Sequence, residues 1–246
     1  NQDGKDQNAY VVDIFRVKGG DDHLYSFHGP PGEVQYTGLR PDLQPTGTYA
    51  GENIVKGTKS DDFPIGFSFL YNVRKDKHPA PAFMLDWKVE HGYRNIVDKD
   101  SIHLRMHALT KVSDVALANG DPPNNKPGNP KTLTYVLLHN TGSSLRSTFV
   151  SVFEPYRGKP FIKSVQRLDN ENGDEIIISV DKMNGETDYI LYNNKEDKFI
   201  KLTNGIKMEG KIGLVRLKGK NPIEGILING SSLRYKQMNL KSSGMI

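Results

Sequence analysis

The sequence predicts an all-β protein, a large antiparallel β-sandwich (supersandwich) with a smaller C-terminal β layer. Three observations support this fold class. Short apolar or alternating runs recur along the whole chain, no stretch carries the apolar period of a sizeable amphipathic helix, and turn signals separate the runs. The 24 glycines and 14 prolines supply many of those signals, among them KGGDD, PPGE, DNENGD and KMNGE. Many short strands with close turns are typical of sandwiches.

The strands follow one another through nearly the whole chain. They are predicted, in order, at 10–17, 24–28, 67–73, 83–91, 102–109, 133–139, 145–153, 175–180, 189–192, 213–217 and 223–228. The longest loop is predicted at 118–131, either a plain connection or a rim over a binding face. After VFEPYRGKP the apolar residues thin out and Lys, Asn and Gly increase. We therefore predict a sandwich over 1–158 and a smaller β-sheet region over 159–246.

Two strands can be assigned face by face, because side chains alternate across a strand. In FMLDWKVEH, Trp87 shares the apolar face, so we predict it in the core rather than on a sugar-binding surface. In IHLRMHAL, one face is apolar and the other carries His103, Arg105 and His107. Those three could line an anion-binding groove for substrate, although a solvated outer face is the more common fate of a polar strand face.

Composition excludes several protein classes. The net charge of +4 is spread along the chain, which argues against a nucleic-acid partner. No apolar run is long enough for a membrane span. Cysteine is absent, so disulfides and thiolate metal sites are excluded. A secreted or periplasmic location is compatible with this composition, and the first residue, Asn1, is consistent with removal of an upstream piece.

The standard short catalytic motifs are absent: there is no phosphate loop, nucleophile elbow or His-Glu-x-x-His metal motif. His103 and His107 cannot chelate one ion, since four residues along a strand span about 13 Å. No metal site and no cofactor are predicted.

The main candidate site lies in the polar segment 13–29, which has the sequence DIFRVKGGDDHLYSFHG. Its Gly-Gly pair predicts a hairpin in which the strand ending near residue 17 pairs with 24–28. The hairpin would bring Asp13 and Arg16 close to the returning strand. His23 and Tyr25 would project to one side and His28 to the other, and both residue types suit proton transfer. A hairpin with internally satisfied polar groups is the alternative, and the residues alone favour it.

The same stretch resembles the β-sandwich segment of heparinase II/III-like polysaccharide lyases, including oligoalginate and heparan-type enzymes. The matching pieces are YVVDIFRVKGGDDHLYSFHG, PTGTYAGENI at 45–54, FMLDW at 83–87, SDVALANGDPP at 113–123 and LTYVLLHNTGSSLRSTFVSVFEPY at 133–156. They occur in the family's order over about residues 8–168. The order carries the resemblance more than any single piece does.

The resemblance implies an enzyme in which an N-terminal α/α toroid holds most catalytic residues and the sandwich contributes a histidine or tyrosine. Such enzymes cleave acidic polysaccharides by β-elimination at a uronic acid. A cationic or amide group neutralises the carboxylate, a base removes the C5 proton, and an acid protonates the leaving oxygen. By resemblance, His23, Tyr25 and His28 would lie nearest the substrate, and Arg16 would contact its carboxylate.

The sequence also departs from the family pattern. It contains no helical toroid, and by resemblance it is expected to start partway into the sandwich, after the His-rich segment that holds zinc in some relatives. A zinc site therefore cannot be carried over, and this portion alone is expected to lack turnover. Three hypotheses remain open: the C-terminal part of a lyase, a non-catalytic carbohydrate-binding or scaffold module, and a structural β protein without a glycan role.

Overall fold

The protein is described by a computed structural model that covers residues 8–95, 101–122, 127–169, 174–195 and 199–241. Its strands form three antiparallel sheets, two with five strands and one with seven. The chain divides into two compact units, Asn1–Lys159 and Pro160–Ile246. The predicted all-β fold is confirmed. Within the described ranges, no helix has the length and apolar character needed to cross a membrane.

The first unit contains two facing sheets. Its strands are β1 (Val11–Lys18), β2 (Asp22–His28), β3 (Gly32–Thr37), β4 (Asp42–Leu43), β5 (Leu70–Asp76), β6 (Phe83–Val89), β7 (Ile102–Ala108), β8 (Asp114–Gly120), β9 (Leu133–Thr141) and β10 (Arg146–Arg157). Sheet A has the order β1-β10-β7-β6-β3, and sheet B has the order β2-β9-β8-β5-β4. Short 3-10 helices occupy Ile65–Phe69 and Tyr93–Asn95.

The second unit is built on one sheet, sheet C. Its strands are β11 (Ile162–Arg167), β12 (Glu175–Lys182), β13 (Glu186–Asn193), β14 (Phe199–Lys201), β15 (Lys207–Lys218), β16 (Asn221–Tyr235) and β17 (Met238–Lys241). They run in the order β11-β12-β13-β15-β16-β17, with β14 paired to β15. One apolar cluster, which includes Leu191, Met208, Val215 and Leu233, lies on this sheet.

The core of the first unit lies between sheets A and B. Alternation directs Trp87 and Met106 inward from sheet A and Leu138 inward from sheet B, and each is 0% exposed. The prediction that Trp87 belongs to the core is confirmed. The two faces predicted for β7 are also observed, since Met106 and Ala108 are buried while His107 is only partly buried.

The predicted β1–β2 hairpin is wrong. β1 pairs with β10 in sheet A, and β2 pairs with β9 in sheet B. Gly19 and Gly20 do adopt positive φ angles, 91° and 78°, but the turn they form carries the chain from one sheet to the other. The two strands therefore meet face to face across the core, and later strands supply their hydrogen-bonding partners.

Three strands of the first unit, β3, β4 and β8, are not among the predicted ones, and β4 has only two residues. β3 is short and lies between glycine and proline signals. β8 occupies part of the predicted loop at 118–131, of which residues 123–126 lie outside the described ranges. Its central residues are buried on both faces, so its small apolar side chains show no alternation. The predicted strand at 67–73 begins only at Leu70, because a 3-10 helix precedes it.

Candidate functional site at His28

The three residues predicted nearest the substrate do not share one cleft. His23 and Tyr25 point into the sandwich and are only 4% and 9% exposed. His28 is exposed on the outer face of sheet B, as the alternation of β2 requires. The predicted separation of His28 from the other two is observed, and it leaves His28 alone among the three at an opening.

His23 holds the turn between the two sheets. Its Nε2 donates to the Gly19 carbonyl oxygen at 2.5 Å, because a carbonyl can only accept. Its Nδ1 lies 3.0 Å from the Ser147 hydroxyl, and the Asn140 amide also donates to that hydroxyl at 3.1 Å. Both ring nitrogens are therefore engaged inside the protein, and the arrangement ties the start of β2 to β10.

Tyr25 joins the two sheets through its hydroxyl group. The hydroxyl donates to Asp13 Oδ2 at 2.6 Å, and the ring stacks on Phe149 with centroids 5.5 Å apart. Burial, and then the hydrogen bond and charge of Asp13, raise the pKa of Tyr25 well above its ordinary value. The phenol therefore stays protonated near neutral pH. In this structure both Tyr25 and His23 have clear roles in holding the fold.

Arg16 does not lie beside β2, the position that the predicted hairpin implies. Asp13 faces the core, where it meets Tyr25, so Arg16, three residues later on β1, lies on the opposite face of sheet A. His28 lies on the outer face of sheet B. The sandwich therefore separates Arg16 from His28, and the two cannot hold the same carboxylate and sugar ring within this unit.

His28 opens onto a pocket of about 370 Å³, which we call the His28 pocket. It is bordered by His28, Pro30, Pro31, Tyr93, Asn129 and Leu133, among others. The Tyr135 ring lies beside His28, with centroids 5.0 Å apart. His28 Nδ1 is 3.1 Å from the Gly29 carbonyl oxygen, so that nitrogen carries the proton in the hydrogen-bonded tautomer. Its Nε2 then bears the lone pair.

The residues after His28 explain how the chain presents it. A Cβ added at Gly29 would lie 2.5 Å from the buried Trp87 indole, so the backbone packs directly on that ring. Gly32 has a φ of 144°, and a Cβ there would lie 1.8 Å from the Lys88 carbonyl oxygen. Two prolines stiffen the chain between these contacts. The sequence HGPPG thus anchors His28 to the core at the edge of the sandwich.

The polar face of β7 forms a separate network, the Arg105 cluster (Asp86, His103, Arg105, His107, Glu154 and Tyr156). Arg105 Nε and Nη2 contact Asp86 Oδ2 at 2.9 and 2.7 Å. Its Nη2 also donates to the Tyr156 hydroxyl at 3.0 Å, and its Nη1 lies 3.6 Å from Glu154. Carboxylates of neighbouring strands therefore surround the guanidinium.

The two histidines of this cluster are paired in the same way. His103 Nδ1 lies 2.6 Å from Asp86 Oδ1, and its ring stacks on Tyr156 with centroids 4.6 Å apart. His107 Nε2 lies 3.4 Å from Glu154 Oε2. The shared face of His103, Arg105 and His107 is confirmed, but its carboxylate partners make an anion-binding groove unfavourable here. Substrate binding by His103, Arg105 and His107 stays a prediction.

Sequence reasoning missed the acidic half of the Arg105 cluster. Asp86 lies on the polar face of the FMLDWKV strand, so the alternation of that strand could have indicated that its side chain points away from the core. Glu154 and Tyr156 lie beyond residue 153, where the strand was predicted to end, whereas β10 continues to Arg157. Over the described ranges, no three His, Asp or Glu side chains are arranged to hold a metal ion.

His139 bridges two aspartates at the other end of sheet B. Its Nδ1 lies 2.9 Å from Asp114 and its Nε2 lies 3.0 Å from Asp22, while Lys75 pairs with Asp114 at 3.3 Å. Burial favours the neutral ring, but the hydrogen bonds to Asp114 and Asp22 outweigh it and raise the pKa of His139. Both nitrogens can donate only in the imidazolium form.

The stability contribution of this bridge should fade in alkaline solution. A raised folded-state pKa means that the contribution is full below the unfolded value, 6.5, and is lost as pH rises through the folded value. We expect His139→Gln to lower the free energy of unfolding by about 1 kcal/mol at about pH 5.5 and by less at about pH 9. Urea unfolding at both pH values measures the difference. A penalty that is the same at both pH values would contradict the prediction.

No protein-family model matches the chain, and no curated protein matches it either. The resemblance to heparinase II/III-like lyases therefore depends on the ordered sequence segments alone.

Proposed function

We propose that this chain is the β-sandwich part of a polysaccharide lyase that cleaves uronic-acid-containing polysaccharide by β-elimination, together with an N-terminal α/α toroid. In this proposal His28 is the residue that the sandwich presents to the sugar. The observation that carries it is the position of His28 at an open pocket, in one of the segments that resemble the family. The other two predicted catalytic residues, His23 and Tyr25, make hydrogen bonds inside the sandwich and stabilise its fold.

The chemistry proposed for His28 follows from its hydrogen bond. With Nδ1 donating to the Gly29 carbonyl, Nε2 is available either to take the C5 proton or, when protonated, to give one to the leaving oxygen. Tyr135 lies beside it with an aromatic face of the kind that packs on a sugar ring. The group that neutralises the uronate carboxylate is not Arg16, so the proposal assigns it to the toroid.

The test uses the native protein as its source makes it, assayed on a panel of uronate polymers. We expect a rise in the absorbance of the unsaturated uronate product on at least one polymer. Replacing His28 by Gln should lower kcat by about 100-fold or more, because general acid or base catalysis contributes that much. The melting temperature should stay close to that of the wild type, since His28 is exposed.

His78→Gln is the matched control, because His78 is also an exposed histidine and lies outside the His28 pocket. It should leave kcat unchanged. No absorbance change on any uronate polymer would refute the lyase proposal. Full activity in His28→Gln would refute the role of His28 while leaving the lyase proposal in place.

A non-catalytic carbohydrate-binding or scaffold module is the second candidate. It is favoured by one observation, that this unit places only one of the predicted acid–base residues at an opening. This candidate predicts retention on an immobilised acidic polysaccharide with no product formed. Retention that is unchanged in His28→Gln, without turnover by the native protein, would favour it over the lyase.

A further inference from the structure

A second pocket lies on the outer face of sheet B, and Tyr135, the neighbour of His28, is one of its lining residues. Its volume is about 480 Å³, within the usual range for small-molecule sites. Leu24, Leu137 and Tyr135 line it from the sheet, while Phe67 and Phe69 line it from the 3-10 helix at Ile65–Phe69. We call it the Phe69 pocket.

The walls of the Phe69 pocket are apolar and held in place. Leu137 is 1% exposed and belongs to a cluster on this face that also includes Leu70 and Ala118. The Phe67 ring packs edge-on against Tyr49, with centroids 5.0 Å apart. Phe69 remains 46% exposed although it lines the pocket. An apolar ligand ring would cover that exposed surface, and the burial would favour binding.

One carboxylate borders this apolar pocket. Asp121 Oδ1 accepts hydrogen bonds from the Tyr71 hydroxyl at 2.7 Å and the Thr132 hydroxyl at 3.3 Å, and Oδ2 pairs with Lys56. The hydrogen bonds from Lys56 and Tyr71 lower the pKa of Asp121, so it is ionised at neutral pH. These hydrogen bonds orient the carboxylate, which is itself exposed, and a carboxylate offers more acceptor sites than these partners use.

These features select a particular class of ligand. None of the described lining residues is basic, and Lys56, the cation beside Asp121, is already paired with that carboxylate, so an anion would meet the negative charge of Asp121 and compete with it for Lys56. A sugar carries hydroxyl groups around its ring, and several would lose water against the leucines and phenylalanines without gaining partners. A flat apolar ring with a single neutral donor loses little, since one hydroxyl can reach Asp121.

We propose that the Phe69 pocket binds a neutral aromatic alcohol, of the phenol or naphthol class, with its ring between Phe69 and the Leu24–Leu137 surface and its hydroxyl donating to Asp121. The described lining residues of this pocket differ from those of the His28 pocket, and the two sites share the Tyr135 ring as a neighbour. Occupancy of the Phe69 pocket is measured without any polymer, so this proposal can fail or succeed independently of the lyase proposal.

The experiment is a titration of the chain with 2-naphthol, followed by backbone amide chemical shifts. Two related compounds serve as comparisons: 2-methoxynaphthalene, which lacks the donor, and 2-naphthoate, which is an anion. We expect saturable shifts for 2-naphthol at residues of β2, β9 and the 3-10 helix. The dissociation constant should be about tenfold higher for each of the other two compounds.

Variants locate the site. Ser26 lines the pocket from the exposed edge strand β2, so Ser26→Phe should fill the space and weaken 2-naphthol binding at least tenfold. Ser231→Phe is the matched control, because Ser231 is an exposed strand residue in the second unit, and it should leave binding unchanged. Asp121→Asn keeps the shape and removes the charge, so it should remove the preference for 2-naphthol over 2-naphthoate.

Several outcomes would overturn the proposal. They are the absence of saturable binding by 2-naphthol, equal binding in Ser26→Phe and wild type, and 2-naphthoate binding as tightly as 2-naphthol to the wild type. Tighter binding of methyl glucoside than of 2-naphthol would assign the pocket to a sugar instead. If Ser26→Phe does not fold, the change in preference expected for Asp121→Asn still decides the matter.

Discussion

Replacing Asp86 by alanine is expected to lower the free energy of unfolding of the sandwich by about 3 kcal/mol or more. Removal of one partner from a buried ion pair is strongly destabilising, and without Asp86 the Arg105 guanidinium keeps the more distant carboxylate of Glu154, 3.6 Å away. Arg105, His103 and Tyr156 all direct polar atoms at this one carboxylate, and Asp86 is only 7% exposed. Denaturant unfolding of wild type and variant measures the loss.

The same carboxylate gives a prediction about acid. Burial by itself raises the pKa of Asp86, but the hydrogen bonds from Tyr156, His103 and Arg105 outweigh it and hold the pKa below its ordinary value of 3.8. A lowered folded-state pKa means that the stability contribution is full above the unfolded value and disappears as pH falls through the folded value. The gap in stability between wild type and Asp86→Ala should therefore narrow in strong acid.

Asp42→Ala is the control for this change, since Asp42 is an exposed aspartate on β4. Substitutions at such surface positions usually alter stability by less than about 0.5 kcal/mol. If Asp86→Ala were no more destabilising than Asp42→Ala, the Arg105 cluster would not stabilise the sandwich.

Replacing Gly29 by alanine is expected to destabilise the sandwich by about 1–3 kcal/mol, the usual cost of overpacking a core. The new methyl group would lie 2.5 Å from the Trp87 ring, and Trp87 is 0% exposed, so the ring has no open space to move into. Because His28 precedes Gly29, relief of the clash should also move His28. We expect a lower melting temperature and, in the native protein, reduced turnover on a uronate polymer.

Gly66→Ala is the matched control for the glycine substitution. An added Cβ at Gly66 has no heavy atom within 4 Å, so the change should be nearly neutral. Calorimetric melting of the two variants compares them directly. Equal melting temperatures for Gly29→Ala and Gly66→Ala would show that the contact with Trp87 does not constrain this position.

Local pattern was sufficient for part of the candidate site. The shared face of His103, Arg105 and His107 and the burial of Trp87 both follow from two-residue alternation, which needs no knowledge of neighbours. The positive φ angles of Gly19 and Gly20 also follow from local chemistry, because glycine lacks the Cβ that excludes them. The shared face and the burial of Trp87 are confirmed predictions, whereas the hairpin predicted from the two glycines is wrong.

The partners of the polar groups could not be predicted in this way. His23 meets Ser147, a residue 124 positions away, and Tyr156 meets Asp86, 70 positions away. Alternation states that a side chain faces inward or outward but not which strand lies next to it. The polar hairpin was therefore interpreted as one unit, whereas its two strands belong to different sheets and His28 alone reaches an opening.

The sequence by itself determined that this protein is all-β, where most of its strands run and which face of a strand is apolar. Those properties depend on residues next to one another in the chain. Only the tertiary structure decided that β1 pairs with β10 across more than a hundred residues, that His23 and Tyr25 hold the fold, and that Asp86 neutralises Arg105. Strand pairing depends on packing of the whole core, because many registers satisfy the local pattern and only joint burial distinguishes them.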